Sequence, residues 1–222
     1  MPITILPATQ PDIPTLVHIE LEAFKSHPRI PMLWPNGYTP DLYAFYESKK
    51  LSSLHDPNTQ LLKAVDSANP DIILGAAEVT YALDPAVNAA QPAPDPNGVP
   101  PSNWPEGGNW EMRRYFSVNT HKLVQESFID RGEGYILIDI LVTHPTHQNT
   151  GIGSRFLTYI IEESQRCNVH VGLESTPAGL AMYKKLGFEE QAVVKADMKQ
   201  FGWEGEYDED AAKRVWMVRR PV

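Results

Sequence analysis

The spacing of hydrophobic residues divides the first third of the chain into strands and helices. A short apolar stretch at residues 3–7 predicts a strand, and apolar residues recurring at helical spacing across residues 13–24 predict a helix. Residues 41–54 repeat the helical pattern. Two further stretches, residues 60–65 and 72–82, flank turn-forming residues and predict a hairpin.

A proline-rich segment then interrupts this pattern. Residues 84–109 are rich in proline and show almost no hydrophobic periodicity, so we expect an irregular excursion there. A helical pattern resumes at residues 110–129. We therefore interpret residues 1–222 as a single domain with a loop-plus-helix insertion at about residues 84–131.

The second half of the chain predicts a buried central strand followed by alternating helices and strands. The nearly continuous apolar run at residues 135–142 is typical of a strand buried on both faces, although Asp139 interrupts it. An amphipathic helix is predicted at residues 152–167 and another helix at 178–186, with strands at 170–175, 188–194 and 214–218. The fold class is α/β.

Composition narrows the range of partners and compartments. The chain has 222 residues and a net charge of -9, which disfavours nucleic acid as a partner. Cys167 is the only cysteine, so no internal disulfide can form, and we expect no secretory signal and no membrane helix. These features predict a cytoplasmic protein with no membrane partner.

A polar turn between the central strand and the next helix is the first candidate for chemistry. Residues 148–153 read Gln-Asn-Thr-Gly-Ile-Gly, and backbone N–H groups at such a helix start can converge on a phosphate. The absence of lysine after the second glycine argues against a nucleotide-hydrolysing loop, and the absence of a third glycine argues against a dinucleotide site. Taken alone, the turn has a structural explanation that is about as good.

Three ordered motifs give this turn a context. They are Leu141-x-x-x-Pro145-x-x-Gln148-x-x-Gly151-x-Gly153, then Leu173-Glu174-Ser175-Thr176-Pro177, then Tyr183-Lys184-Lys185-Leu186-Gly187-Phe188. Together they resemble the GNAT superfamily of N-acetyltransferases, most specifically over residues 135–189. Many members have arginine or lysine where Thr150 stands, so phosphate binding here should depend more on backbone amides.

The resemblance implies a fold, a cofactor and a set of site residues. The fold would be a mixed, mostly antiparallel sheet of six to seven strands, splayed in a V between residues 135–143 and 170–175. Acetyl-CoA would lie in that gap, with its pantetheine along the exposed backbone of Leu141, Val142 and Thr143. The amides of Gln148, Asn149, Thr150, Gly151, Ile152, Gly153 and Ser154 would hold the pyrophosphate. The Leu141 N–H would polarise the thioester carbonyl.

The same resemblance suggests a catalytic acid, and the residues suggest a base. Tyr183 matches the tyrosine that protonates the leaving thiolate in many family members, although it can also be a packed core aromatic. Asp139 lies two residues before Leu141, so strand alternation predicts that both side chains share a face. A carboxylate in an apolar strand can have a raised pKa and accept an amine proton, or it can simply bond a neighbouring loop. Glu78 and Glu174 are alternatives, more simply read as strand-edge carboxylates.

Other polar and aromatic residues are further candidates for the acceptor site. The acidic run at residues 204–210 can attract a cationic amine or form a solvated loop, and Trp34, Tyr38, Trp104 and Trp110 can line a pocket or cap the core. His144 and His147 suggest a solvated pair rather than ligands, so no metal site is predicted. Cys167 has no histidine partner at a nucleophile spacing.

The sequence thus predicts an acetyl-CoA-dependent N-acetyltransferase that acts by direct attack of an amine. We expect the acceptor to be a small-molecule amine, because long insertions tend to enclose a pocket. We expect the protein to be a monomer or a homodimer. A protein lysine or protein N-terminus is the second choice. A catalytically silent acyl-CoA-binding module is the alternative outside the enzyme class.

Overall fold

A seven-stranded sheet forms the centre of the molecule in the computed structural model, which describes residues 2–221. Its strand order is β1-β2-β3-β4-β5-β7-β6, and only the β4–β5 pair is parallel. The strands are β1 Ile3–Pro7, β2 Thr59–Asp66, β3 Asn69–Ala82, β4 Tyr135–Thr143, β5 His170–Ser175, β6 Glu189–Val194 and β7 Arg214–Arg219. The predicted mixed, mostly antiparallel sheet is confirmed.

Helices cover both faces of this sheet. They are α1 Ile13–Phe24, α2 Ile30–Leu33, α3 Pro40–His55, α4 Pro85–Ala89, α5 Trp110–Ser127, α6 Ile152–Cys167, α7 Leu180–Lys185 and α8 Glu209–Ala212. The apolar stripe of α6 packs Phe156, Leu157 and Ile160 into the main core on one face. On the opposite face, α1 packs Leu16 and Ile19 against the sheet. No helix within residues 2–221 is long and apolar enough to cross a membrane.

The proline-rich segment is fixed by aromatic packing rather than by regular structure. Trp34 and Trp104 lie 5.0 Å apart between ring centroids, and Trp104 lies 5.0 Å from Trp110. The Trp104 indole N–H donates to the Gly108 carbonyl. Of the two roles open from sequence, these tryptophans therefore cap the core around α1 and α3. The assignment of residues 84–131 as an insertion stays a prediction.

Two irregularities in β4 shape the region where chemistry is expected. The strand pairs in parallel with β5 for only four residue pairs, from Tyr135↔His170 to Ile138↔Leu173. Beyond that point the two strands separate, as the expected splay requires. A β-bulge also lies at Asp139, because Glu78 pairs with Ile140 whereas Val79 pairs with Ile138.

Candidate active site

The turn between β4 and α6 presents a group of free backbone amides. Asn149 and Gly151 have positive φ angles of 62° and 89°, a geometry that lets successive N–H groups converge. Among the described residues, no acceptor is found for the amides of residues 148–151, and the first amides of α6 have none within the helix. A Cβ added at Gly151 would meet nothing within 4 Å. The turn therefore has the geometry of an open anion cradle.

The gap between β4 and β5 leads to this cradle. Past Ile138, the β5-facing edge of β4 has no ladder partner in β5, so backbone groups of residues 139–143 on that edge remain available. At the other end of the gap, a Cβ on Gly153 would lie 3.7 Å from Leu141 Cδ2. The expected pantetheine-binding residues and the expected pyrophosphate-binding residues are therefore contiguous.

The bulge in β4 corrects one expectation from the sequence. Strand alternation predicted that the side chains of Asp139 and Leu141 share a face, but Leu141 packs against the core beneath α6. Asp139 instead accepts a hydrogen bond from Thr80 Oγ1 at 2.7 Å, on the face covered by α1, α3 and α5. The extra residue of the bulge breaks the alternation, so Asp139 and Leu141 serve opposite faces.

Asp139 has the titration behaviour that a general base requires. Burial raises its pKa to about 7; the Thr80 hydrogen bond lowers the pKa and the charge of Glu78 raises it. The side chain nevertheless reaches solvent. A carboxylate that is accessible to water yet surrounded by protein lies in a cleft, where a small molecule can reach it.

Glu78 is not the strand-edge carboxylate that the sequence suggested. It lies on the internal strand β3 and accepts from Lys50 Nζ at 2.5 Å and from Ser53 Oγ at 2.7 Å. Lys50 also lies 2.7 Å from Glu20. Burial would raise the pKa of Glu78, but Lys50 and Ser53 outweigh burial and lower it. Glu78 is thus a paired structural carboxylate, and Asp139 is the better candidate base.

Tyr183 lies on the other side of the sheet, in the core beneath α6. Its ring is 8% exposed and packs edge-on against Phe188 at 5.7 Å. Burial raises its pKa to about 12, so the phenol stays protonated at neutral pH. Among residues 2–221, the Tyr183 hydroxyl has no hydrogen-bond partner. Its packing is compatible with a core aromatic residue, and its protonated phenol is compatible with a proton donor.

Glu174, the remaining alternative base, is also ion-paired. Its Oε2 accepts from Arg214 Nη1 at 2.5 Å, so it does not lie free at a strand edge. In the acidic run, Asp210 pairs with Lys195 and Lys213. His144 bonds Thr146 at 2.8 Å. Among the described residues, none of these side chains forms a hydrogen bond with Asp139, whose partner is Thr80.

The sequence did not reveal the buried lysine on the face of the sheet that carries Asp139 and Glu78. Lys50 is 5% exposed and lies on the side of α3 that also buries Leu42 and Phe45. Burial would lower the pKa of Lys50, but Glu20 and Glu78 raise it above the ordinary value. The neighbouring Lys49 has a pKa lowered by burial to about 8. The sequence signal for a buried lysine was the helical spacing of Lys50 from the apolar residues Leu42 and Phe45.

Comparison with known proteins agrees with this geometry. Residues 117–190 match the family model described as an acetyltransferase (GNAT) domain. The structure of a mosquito arylalkylamine N-acetyltransferase like 5b superposes with a TM-score of 0.66 at 15% identity, covering 99% of this chain and 100% of that one. Residues 117–190 are therefore similar to a GNAT acetyltransferase domain, and the fold of the whole chain is similar to that of the mosquito protein.

Two curated bacterial proteins are similar over a shorter stretch. The L-methionine sulfoximine/L-methionine sulfone acetyltransferase of Salmonella typhimurium is 36% identical over 75 residues, 32% of this chain and 42% of the relative. The L-amino acid N-acyltransferase MnaT of Escherichia coli is 41% identical over 63 residues, 27% of this chain and 34% of the relative. The chain thus spans less than half the length of these relatives.

Proposed function

We propose that this protein transfers an acetyl group from acetyl-CoA to the primary amine of a small molecule by direct attack. The observation that carries the proposal is the contiguity of three features: the anion cradle at residues 148–153, the gap between β4 and β5, and Asp139 at the opening of that gap. The names of the two bacterial relatives support an acyl transfer to a small amine.

The cradle and the gap fit CoA in their chemistry. Free backbone amides at the start of α6 suit a pyrophosphate without requiring a metal, even with Thr150 in place of a basic residue. The unpaired edge of Leu141–Thr143 suits the amides of a pantetheine arm. When bound, the cofactor would supply an activated acetyl group and a thiolate leaving group.

The residues around the gap have complementary proton-transfer roles in this proposal. Asp139 would take a proton from the incoming ammonium or amine, directly or through water, because its pKa lies near neutrality. Tyr183 would donate its proton to the departing sulfur. The Leu141 N–H would stabilise negative charge that develops on the acetyl oxygen.

A CoA-release assay over a panel of amines tests the proposal. We expect amine-dependent release of CoA, with acetylated amine detected by mass spectrometry. No release with any small amine, together with acetylation of a peptide array, would move the function to protein acetylation. CoA binding without turnover in every format would indicate a silent acyl-CoA-binding module.

A further inference from the structure

A second buried charged cluster lies on the same face of the sheet as Asp139. Arg29, just before α2, is 9% exposed, and Arg214 begins β7. Their guanidinium carbons lie 4.8 Å and 4.6 Å from the centroid of the Phe116 ring. Two arginines thus stack on one aromatic ring, which orients their planar donors.

This cluster contains more positive than negative charge. Glu174 binds Arg214 through Oε2, while its Oε1 and Arg29 Nε are both buried without a hydrogen-bond partner in residues 2–221. Burial and then the charge of Arg214 lower the pKa of Arg29, Glu174 partly offsets them, and Arg113, one helical turn before Phe116 on α5, lowers it further. Three guanidinium groups therefore share one carboxylate.

The neighbouring His27 does not relieve this imbalance. Burial, followed by the charges of Arg29 and Arg214, lowers the pKa of His27 to about 4, so His27 is neutral at physiological pH. Its Nδ1 accepts from the Arg29 backbone N–H at 3.2 Å. A buried guanidinium with an unpaired donor is costly unless an anion pairs with it.

The cluster lies across the gap from Asp139. Leu173 is the last β5 residue paired with β4 and points into the core beneath α6. The next residue, Glu174, therefore points to the opposite face, as Asp139 does from the next position of β4. The candidate base and the arginine cluster thus occupy facing strands at the opening of one gap.

We propose that Arg29 and Arg214, assisted by Arg113, bind the carboxylate of an acceptor that carries both an amine and a carboxylate. The acceptor class is a free amino acid or a similarly short zwitterion, with its amine directed to Asp139 and its carboxylate to the arginines. A carboxylate matches the paired donors of a guanidinium and supplies the missing negative charge. This inference rests on the proposed acetyl transfer to a small amine.

Matched acceptor pairs test the carboxylate site. The rate constant kcat/KM is measured with several amino acids, each beside its own carboxamide, for example L-methionine and L-methioninamide. The native enzyme should favour the acid. In Arg29→Gln and, separately, Arg113→Gln, the acid-to-amide ratio should fall about 10- to 100-fold, mainly through KM for the acid. Because each ratio is taken within one variant, differences in amine reactivity cancel.

Arg114→Gln is the matched control. Arg114 neighbours Arg113 on α5 but donates to the Gly98 carbonyl at 3.1 Å, so its loss should leave the ratio unchanged. If the native enzyme acetylates acids and amides equally, or if both cluster variants retain the native ratio, the carboxylate site is wrong while the acetyltransferase stands. Absence of CoA release with every amine, acid or amide, would instead overturn the proposed function. Should Arg29→Gln fail to fold, the accessible Arg113→Gln decides.

Discussion

At the scale of single residues, Asp139 links activity to pH. Because its pKa is raised to about 7, the carboxylate becomes able to accept a proton as the pH rises through neutrality. We expect kcat/KM to increase across that range. In Asp139→Asn, kcat/KM should be about 10²- to 10⁴-fold lower and should no longer increase with pH in this range. A native profile that is flat between pH 6 and pH 8 would exclude Asp139 as the base.

The same carboxylate should lower stability at alkaline pH. A raised pKa in the folded state means that its contribution to stability is fully present below the unfolded value of 3.8 and is lost as the pH rises through about 7. We therefore expect Asp139→Asn to have a higher Tm than the native protein at pH 8 and a smaller difference in Tm at pH 5. Thermal unfolding at both pH values, followed by circular dichroism, measures the difference.

Tyr183→Phe separates the two interpretations of this tyrosine. Phenylalanine keeps the ring that packs against Phe188 but removes the hydroxyl. As a proton donor, Tyr183 should contribute about 10²-fold or more to kcat, with little change in Tm or in CoA affinity. Unchanged kcat would assign Tyr183 to packing alone.

At the scale of elements, two glycines beside α6 should have different effects when replaced by alanine. Gly151 has a φ of +89° with open space around it, so Gly151→Ala strains the cradle by about 1–2 kcal/mol. At Gly75 on β3, a Cβ would lie 2.7 Å from the Val142 carbonyl oxygen and 3.0 Å from Ile152 Cγ2. Gly75→Ala therefore overpacks the sheet against α6.

We expect Gly151→Ala to weaken CoA binding more than it lowers Tm. Gly75→Ala should lower the free energy of unfolding by about 1–3 kcal/mol. Isothermal titration with CoA and chemical unfolding, applied to both variants, measure the two effects. Equal CoA affinity in Gly151→Ala and the native protein would argue against the cradle as the pyrophosphate site.

The strands and long helices were predictable from sequence because their apolar spacing is strong. The run at residues 135–142 identified β4, and the motif after it identified α6. The bulge at Asp139 was not predictable, because a single extra residue in a continuous apolar run leaves no mark on the pattern. The expected shared face of Asp139 and Leu141 was wrong for that reason.

At the scale of the whole molecule, Lys50 ties three elements together. It bridges Glu20 of α1 and Glu78 of β3 from its place on α3, and its side chain is 6% exposed. Lys50→Met would leave both carboxylates without their buried cation, so we expect a loss of about 3–5 kcal/mol in the free energy of unfolding. Urea unfolding measures it, with Lys122→Met on α5 as the control, because the Lys122 side chain is 72% exposed.

The ion pairs on the Asp139 face of the sheet could not be predicted from the sequence. Lys50 is 28 residues from Glu78, and Arg214 is 40 residues from Glu174. No local period connects such positions, and only the closure of the sheet brings them together. The candidate cofactor residues could be predicted from sequence because they lie in one continuous motif. The charged residues on the Asp139 face come from distant segments of the chain.

The bulge in β4 gives this protein two faces that can change independently. The extra residue places Leu141 toward α6 and Asp139 toward the opposite side of the sheet, where the arginines lie. Under the proposed carboxylate site, substitutions around Arg29, Phe116 and Arg214 would therefore alter the choice of amine while the cradle at residues 148–153 stays intact. One additional residue makes the fold a suitable starting point for evolving, or engineering, new acceptors.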